Sequence, residues 1–261
     1  MTHYDRPWPA GTPCWADLMA VDLDRTQEFY RTVLGWEYTA SQPEYGGYCN
    51  ALVDGGPVAG LSPTMKGMES APHLRQVYLA ADDIAGTGEQ AAAYGATALV
   101  EPMHVEPFGW MGVWQDPTGA AFGLWQSEQH TGFTRTDEPG AVAWCDLMTP
   151  DPDTARDFYA QVFGYSYQDA GMDTMPYVLF TVPGGERPAG GIGGTDPSAS
   201  SIPPAWSVCF QVPDVDAALR TARGAGGAVV EEPFDFEYGR LGVLSGPDGE
   251  VFAVMAPNEA M

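Results

Sequence analysis

The sequence predicts an α+β protein made of four βαβββ units that form two tandem domains. Three observations support this prediction. The chain of 261 residues is long enough for two hydrophobic cores. Its first half is partly repeated in its second half, and each repeat alternates strand-like and helix-like segments. We expect domains over 1–127 and 140–261, joined by a polar linker over 128–139.

An internal match at a constant offset of 129 residues is the main evidence for duplication. Residues 11–38 align with residues 140–167, with twelve identities in 28 positions. A period this long indicates duplicated domains rather than a solenoid. The identical pairs include Trp15/Trp144, Asp17/Asp146, Leu18/Leu147, Met19/Met148, Phe29/Phe158, Tyr30/Tyr159, Val33/Val162 and Gly35/Gly164.

Each repeat begins with a strand followed by a capped helix. The first strand, over 13–21, ends at Asp22, a residue type that caps helices well. Apolar residues at i,i+4 spacing then indicate a helix, which Gly35 ends. In the second copy Asp151-Pro152 supplies a cap and a proline at the first helical position. Short strand candidates broken by glycine pairs follow.

A second strand–helix unit follows in each repeat. We expect its opening strand and helix over 77–81 and 84–94 in the first repeat, and over 208–212 and 215–225 in the second. Strands over 98–105, 110–115 and 121–126 complete the first domain. The sequence Asp-Pro-Thr-Gly at 116–119 suits a type I turn before the last of them. Residues 190–204, rich in glycine, serine and proline, are predicted to be a loop that either covers a cavity or moves freely.

The charge of the chain argues against two classes of partner. The formal net charge is −24, because the chain has only one lysine, Lys66, and ten arginines. Such a surface repels phosphate, so we expect neither nucleic acid nor anionic membranes as partners. No apolar run is long enough to span a bilayer and the N-terminus does not resemble a secretory signal, so we expect a cytoplasmic protein. The four cysteines lie in apolar stretches and are expected to be buried, reduced thiols.

Two motifs give a family resemblance. The pattern Asp-x₆-Phe-Tyr-x-x-Val-Leu-Gly follows the first strand, and Asp-Pro-x-Gly precedes the last strand. This layout resembles the vicinal-oxygen-chelate superfamily, which includes glyoxalase I, bleomycin-resistance proteins and extradiol dioxygenases. The chain is most similar to its fused two-domain actinobacterial members of glyoxalase-like or hydroxylase type. The resemblance implies mixed sheets whose concave faces enclose a ligand cavity.

The resemblance also implies where metal ligands would stand. Metal-using members place one ligand on the first strand, one on the strand that opens the second unit and a glutamate on the last strand. The corresponding places here hold Trp15 and Trp144, Gln76 and Ser207, and Gly123 and Ala253. Only the Gln76 side chain offers a plausible donor to a metal. We therefore expect vacated metal sites and no cofactor.

Aromatic and acidic side chains are expected to line the cavities instead. Because side chains alternate along a strand, each repeated Trp-x-Asp-x-Met segment should present its three named side chains to one cavity. The predicted ligand-binding residues are Trp15, Met19, Tyr48, Gln76, Trp114 and Trp125 in the first domain, and Trp144, Met148, Tyr177 and Ser207 in the second. Asp17 and Asp146 are the candidate catalytic bases, although such an aspartate is more commonly structural.

Three functions remain open at this point. The first is a metal-free binder of a small aromatic or partly apolar molecule. The second is a metal-independent lyase, isomerase or oxygenase that uses Asp17 or Asp146 as its base. The third is a scaffold whose tryptophans merely fill the core. A small-molecule ligand is the expected partner, and the chain is either a pseudo-symmetric monomer or a homodimer. A less conventional site, in which His73 and His104 join Glu101 or Glu106, is a further alternative.

Overall fold

A computed structural model describes residues 2–64, 76–170, 176–195 and 203–258. The first domain consists of β2 (Pro13–Ala20), α1 (Leu23–Leu34), β3 (Glu37–Tyr38), a 3₁₀ turn (Pro43–Tyr45), β4 (Cys49–Val53), β5 (Gly56–Pro63), β6 (Gln76–Ala80), α2 (Ile84–Ala93), β7 (Thr97–Val105), β8 (Gly109–Gln115) and β9 (Ala121–Ser127). The second consists of β11 (Val142–Thr149), α3 (Pro152–Phe163), β12 (Ser166–Asp169), β13 (Tyr177–Thr181), β14 (Gly190–Gly194), β15 (Ala205–Gln211), α4 (Val215–Gly224), β16 (Ala228–Phe236), β17 (Gly239–Ser245) and β18 (Val251–Pro257). The short strands β1 (Thr2–His3) and β10 (Arg135–Thr136) pair with each other at the edge of β11.

Both domains have the same sheet topology. Their strand orders are β3-β4-β5-β2-β6-β9-β8-β7 and β12-β13-β14-β11-β15-β18-β17-β16. In each unit the first strand pairs in parallel with the last, and the first strands of the two units pair antiparallel at the centre. The prediction of four βαβββ units in two mixed sheets is therefore confirmed.

Aspartate caps start all four described α-helices. The side chain of each cap accepts a hydrogen bond from the backbone N–H three residues later, which satisfies one of the free donors of the first turn. The caps are Asp22, Asp83, Asp151 and Asp214. Gly35 and Gly164 end α1 and α3 with φ angles of +75° and +70°, which explains the requirement for glycine there.

The segment predicted to be a loop over 190–204 begins with a strand instead. Residues Gly190–Gly194 form β14, which pairs with β11 and β13. Glycine-rich sequence predicts poor strand formation, but here the missing side chains make room for larger neighbours. A Cβ atom on Gly190 would overlap the Phe180 ring, and one on Gly193 would lie 2.7 Å from Met148 Sδ. Residues 196–202 are outside the described part of the chain.

The two domains share one hydrophobic core, formed where their helices meet. Helix α1 packs beside α4, and α2 packs beside α3. Phe29 of α1 makes an edge-on contact with Phe252 of the other domain, at 6.4 Å between ring centres. Phe122 contacts Phe158 at 5.8 Å in the corresponding place. Burial of aromatic rings on both sides of the boundary makes the interface apolar and extensive.

Two pseudo-symmetric hydrogen bonds join the backbone of one domain to an aromatic side chain of the other. Trp36 Nε1 donates to the carbonyl oxygen of Gly140 at 2.7 Å, and the Tyr165 hydroxyl donates to the carbonyl oxygen of Gly11. Gly11 and Gly140 have φ angles of +82° and +86°, a conformation that only glycine adopts at low cost.

A buried carboxylate accepts a hydrogen bond from a tyrosine hydroxyl at each of two equivalent turns. The Tyr159 hydroxyl donates to Asp116 Oδ2 at 3.1 Å, and the Tyr30 hydroxyl donates to Glu250 Oε1 at 2.6 Å. The two acids occupy different positions of the turn. Asp116 is its first residue, whereas in the second domain that place is Gly246 and Glu250 reaches back to fill it. A Cβ atom on Gly246 would overlap the Glu250 carboxylate.

All four cysteines are buried and free, as expected. Burial raises the pKa of the Cys14 and Cys145 thiols well above their ordinary range, so both are unreactive at neutral pH. Among the described helices, no segment combines the length and apolar character needed to cross a lipid bilayer.

Candidate ligand-binding faces

The structure brings Trp15, Asp17 and Tyr48 together on the face of the first sheet opposite its helices. We call this the concave face of domain 1. Trp15 Nε1 donates to Asp17 Oδ1 and to the Tyr48 hydroxyl oxygen, both at 2.9 Å. The Tyr48 hydroxyl donates to Asp17 Oδ1 at 2.8 Å. The three side chains therefore form a closed triangle of hydrogen bonds.

The concave face of domain 2 carries the equivalent group on β11 and β13. Trp144 Nε1 donates to the Tyr177 hydroxyl oxygen at 2.9 Å, and the Tyr177 hydroxyl donates to Asp146 Oδ1. Trp144, Asp146 and Tyr177 are all partly exposed.

A glycine on the neighbouring strand makes each group possible. A Cβ atom on Gly60 would overlap both the Tyr48 hydroxyl and the Asp17 carboxylate, and one on Gly191 would overlap the Tyr177 hydroxyl. Neither glycine is among the residues predicted from the sequence. The available signal was a glycine inside a strand in both repeats, which often marks a close approach of another group.

Burial perturbs the acid of each group. It raises the pKa of Asp17 above its ordinary value, although hydrogen bonds from Tyr48, Trp15 and Tyr78 oppose the effect. It raises the pKa of Asp146 from 3.8 to about 6, opposed by hydrogen bonds from Tyr177 and Trp144. Asp146 therefore titrates much closer to neutral pH than an ordinary aspartate.

The two faces differ in how far their tryptophan is covered. Trp15 is only 2% exposed, whereas Trp144 is partly exposed. Tyr78 of β6 stands next to Trp15 in the sheet, and its hydroxyl hydrogen-bonds to Asp17. In domain 2 the residue in register beside Trp144 is Cys209, whose side chain is far smaller.

The linker between the domains also covers Trp15. The His130 ring packs edge-on against Trp15 at 4.3 Å between ring centres, and Phe133 lies at 5.5 Å. The His130 Nε2 atom is buried without a hydrogen-bond partner, and burial lowers the pKa of this imidazole to about 4. It is therefore neutral at physiological pH and packs as an aromatic ring.

The remaining predicted residues divide between this face and the core. Met19 and Met148 lie on the concave faces, each two residues after the aspartate of its strand, and both are partly exposed. Gln76 and Ser207 stand in register beside Asp17 and Asp146. The Gln76 amide donates to its own strand's backbone, at 3.1 Å to Val77 O.

The two predicted tryptophans near the end of domain 1 lie on opposite sides of the sheet. Trp125 shares the concave face, and its Nε1 donates to the carbonyl oxygen of His130 at 2.8 Å. Trp114 lies on the helix side, 2% exposed, with its ring against Gly88 of α2. Trp114 therefore contributes to the core, because neighbouring residues of a strand point to opposite faces.

The residues at the family's metal places do not fit a metal. Tyr78 covers the place on the last strand, since a Cβ atom on Gly123 would overlap its ring. Indole and alanine provide no ligand at the corresponding places of domain 2. Within the described ranges no group of three His, Cys, Asp or Glu side chains is placed to hold a metal ion. Of the alternative histidine site, His73 lies outside the described residues, and His104 pairs with Glu128 at 3.1 Å.

Two pockets lie apart from the repeated Trp-Asp-Tyr groups. An open cleft of about 380 Å³ separates α1 from α4, with Arg25 and Glu28 at its wall. A smaller pocket of about 190 Å³ lies where Trp8 meets Trp125 and Asp82. Neither contains the repeated Trp-Asp-Tyr group.

Known proteins resemble the chain across both domains. Residues 141–254 match the family described as the Glyoxalase/Bleomycin resistance protein/Dioxygenase superfamily, and residues 15–125 match a glyoxalase-like domain. A Mycobacterium tuberculosis protein named "Putative glyoxylase CFP32" is 34% identical over 252 residues, which cover 95% of each chain. The anthracycline biosynthesis protein DnrV of Streptomyces peucetius is 33% identical, over 95% of this chain and 94% of its own.

Solved structures with lower identity share the fold. The Mn(II)-bound glyoxalase of Novosphingobium aromaticivorans has a TM-score of 0.65 at 16% identity, over 95% of this chain and 82% of its own. A trihydroxybiphenyl dioxygenase of Sphingomonas wittichii has a TM-score of 0.64 at 11% identity, over 95% and 91% of the two chains.

Proposed function

The chain belongs to the glyoxalase/bleomycin resistance protein/dioxygenase superfamily, and on that premise we propose that it binds a flat, phenolic aromatic molecule on the concave face of domain 2. The observation that carries the proposal is the partly exposed group of Trp144, Tyr177 and Asp146. An indole ring provides a stacking surface, and a carboxylate oxygen provides a directed acceptor for a hydroxyl proton.

The apolar surroundings of this group favour an aromatic ligand over a sugar or a peptide. By sheet register, Leu179 stands beside Gly191 near Asp146, and Val243 stands beside Ala253 near Trp144. Both side chains are partly exposed. One acidic acceptor on a largely apolar face suits a ligand with few polar groups. The names of DnrV and its relative DauV refer to anthracycline biosynthesis, in keeping with a flat phenolic ligand.

Titration with quinizarin, a dihydroxyanthraquinone, tests the proposal. We expect it to quench tryptophan fluorescence saturably and to bind more tightly than anthraquinone, which lacks the hydroxyls. Asp146→Asn should weaken quinizarin binding by about tenfold, the effect of about 1.4 kcal/mol from one charge-assisted hydrogen bond. It should leave anthraquinone binding unchanged.

Asp17→Asn is the matched control, because it makes the same change in the covered group of domain 1. We expect quinizarin affinity to remain at the wild-type level in this variant. Absence of saturable binding by the wild-type protein, or equal losses in the two asparagine variants, would refute the proposal.

Catalysis by Asp146 is a second candidate function, favoured by its raised pKa of about 6. A carboxylate with such a pKa is a stronger base than an ordinary aspartate and is still ionised at neutral pH. It could remove a proton from an acidic C–H group of a bound aromatic ketone. Anaerobic hydrogen–deuterium exchange at the methylene carbon of anthrone, followed by NMR, tests this. Acceleration that Asp146→Asn abolishes and Asp17→Asn retains would support it; exchange at the buffer rate would exclude it for this probe.

A further inference from the structure

Two residue pairs in register distinguish the concave faces of the two domains. In domain 1, Tyr78 of β6 stands opposite Gly123 of β9. In domain 2, the same places are Cys209 of β15 and Ala253 of β18. Each pair lies beside the tryptophan of its face, since Trp15 is in register with Tyr78 and Trp144 with Cys209.

The large and small residues of each pair are matched to each other. The Tyr78 ring lies flat over Gly123, so that a Cβ atom there would overlap the ring carbons. A tyrosine at position 209 would meet the existing Cβ atom of Ala253 in the same way. Domain 1 therefore has an aromatic ring beside Trp15, whereas in domain 2 the two small residues of the pair, which are themselves buried, place no ring beside Trp144.

The consequence of this difference is visible at the tryptophans. Trp15 is 2% exposed beneath Tyr78 and the linker residues His130 and Phe133, whereas Trp144 is partly exposed. No described residue covers Trp144 as the linker covers Trp15. The linker itself thus occupies the position over domain 1 that a ligand would take over domain 2.

We propose that the Cys209–Ala253 pair is the specificity determinant that keeps domain 2 open, and that domain 1 is permanently closed by its own residues. This inference rests on the proposed function for its ligand, but not for its claim about access to the two faces. It predicts one bound aromatic molecule per chain, located in domain 2. It also predicts that copying the pair from domain 1 closes domain 2.

Fluorine NMR of the fluorotryptophan-labelled protein can test access to each tryptophan separately. Trp15→Phe and Trp144→Phe assign the two resonances. A neutral nitroxide added to the wild-type protein should broaden the Trp144 resonance severalfold more than that of Trp15. Quinizarin should shift the Trp144 resonance alone and saturate at one molecule per chain.

The decisive variant combines Cys209→Tyr with Ala253→Gly, which reproduces the pair of domain 1. We expect the Trp144 resonance to lose its nitroxide broadening and its response to quinizarin. Ala253→Gly alone is the matched control and should retain both. Cys209→Leu offers a second, smaller obstruction if the double variant does not fold, and it should reduce both responses.

Each possible result either supports the inference or overturns it. Equal nitroxide broadening of Trp15 and Trp144, binding of two molecules per chain, or undiminished broadening of Trp144 in the folded double variant or in Cys209→Leu would overturn it. If wild-type protein ignores quinizarin, the proposed function fails, but the broadening experiment still decides whether the pair controls access.

Discussion

A single carboxylate, Asp146, is expected to give the protein an unusual pH dependence. Its pKa is about 6 in the folded chain and near the ordinary 3.8 when unfolded. The folded state therefore holds this proton more tightly, and the contribution of Asp146 to stability falls as the pH rises from about 4 to about 6. The difference amounts to at most about 3 kcal/mol.

Urea denaturation of the wild type and of Asp146→Asn across this range would measure the effect. Because asparagine does not titrate, the free energy of unfolding of the wild type should fall relative to that of the variant as the pH rises. Comparison with the variant removes the opposite contribution of ordinary acid residues such as Asp151, whose pKa is lowered by hydrogen bonds from the side chain and then from the backbone of Thr154. A difference that is constant with pH would contradict the raised pKa.

Gly191 is a second residue whose substitution is expected to lower the free energy of unfolding. Gly191→Ala should lower the free energy of unfolding by about 1–3 kcal/mol, because the new methyl group must displace Tyr177 from its hydrogen bond to Asp146. Gly224→Ala is the control, since a Cβ atom there meets nothing within 4 Å at the exposed end of α4. We expect that change to be neutral or slightly stabilising in urea denaturation. If Gly191→Ala changes the free energy of unfolding as little as Gly224→Ala, then Tyr177 adapts to the new methyl group.

Residue-scale prediction succeeded where both repeats carry the same signal. Strand alternation placed Trp15 and Asp17 on one face, because a period of two residues is independent of the details of packing. Tyr78 was missed because its partner in the repeat is a cysteine, so duplication gave no signal. Trp114 was assigned to the cavity although its neighbour Val113 has the side chain on that face. The contribution of the linker through His130 could not be predicted, since it depends on how the chain folds back.

At the scale of elements, the contact between α1 and the turn before the last strand of the other domain carries a buried hydrogen bond. Tyr30→Phe removes the donor to Glu250, a carboxylate that is only 1% exposed. We expect the free energy of unfolding to fall by about 1–3 kcal/mol, because a buried carboxyl acceptor loses a partner. Chemical denaturation against Tyr45→Phe, which removes an exposed hydrogen bond to Glu106 O, provides the comparison. A loss below about 0.5 kcal/mol would show that water or a rearranged side chain replaces the hydroxyl.

The elements whose bounds were predicted from the sequence agree with the structure to within a few residues, but β14 and the short strands β1 and β10 were not predicted. Helices were bounded by aspartate caps and glycine stops, signals that act locally. The glycine-rich strand Gly190–Gly194 gives no local signal for strand formation. Its sequence is explained only by the bulk of Phe180, Tyr177 and Met148 on neighbouring strands. Information of this kind lies in tertiary contacts and not in the segment.

At the scale of the whole molecule, the shared core predicts that the two domains unfold together. Calorimetry should show one transition whose van't Hoff and calorimetric enthalpies agree. Tyr159→Phe, which breaks the contact with Asp116 of the other domain, should shift that transition as a whole. Two resolved transitions, or a shift confined to one of them, would show that the domains are independent.

The buried acids at the two equivalent turns show how the duplicated halves have diverged. Asp116 and Ala120 in one half correspond to Gly246 and Glu250 in the other, and either arrangement presents a carboxylate to a tyrosine and to the amide of Thr118 or Asp248. Neither difference is acceptable alone: Gly246→Asp would force two carboxylates together, and Glu250→Ala would remove the acid. The two positions are therefore epistatic, and the halves can exchange this turn only by a paired mutation. An alignment of the two halves that is examined one column at a time would record two lost residues where a single interaction is kept.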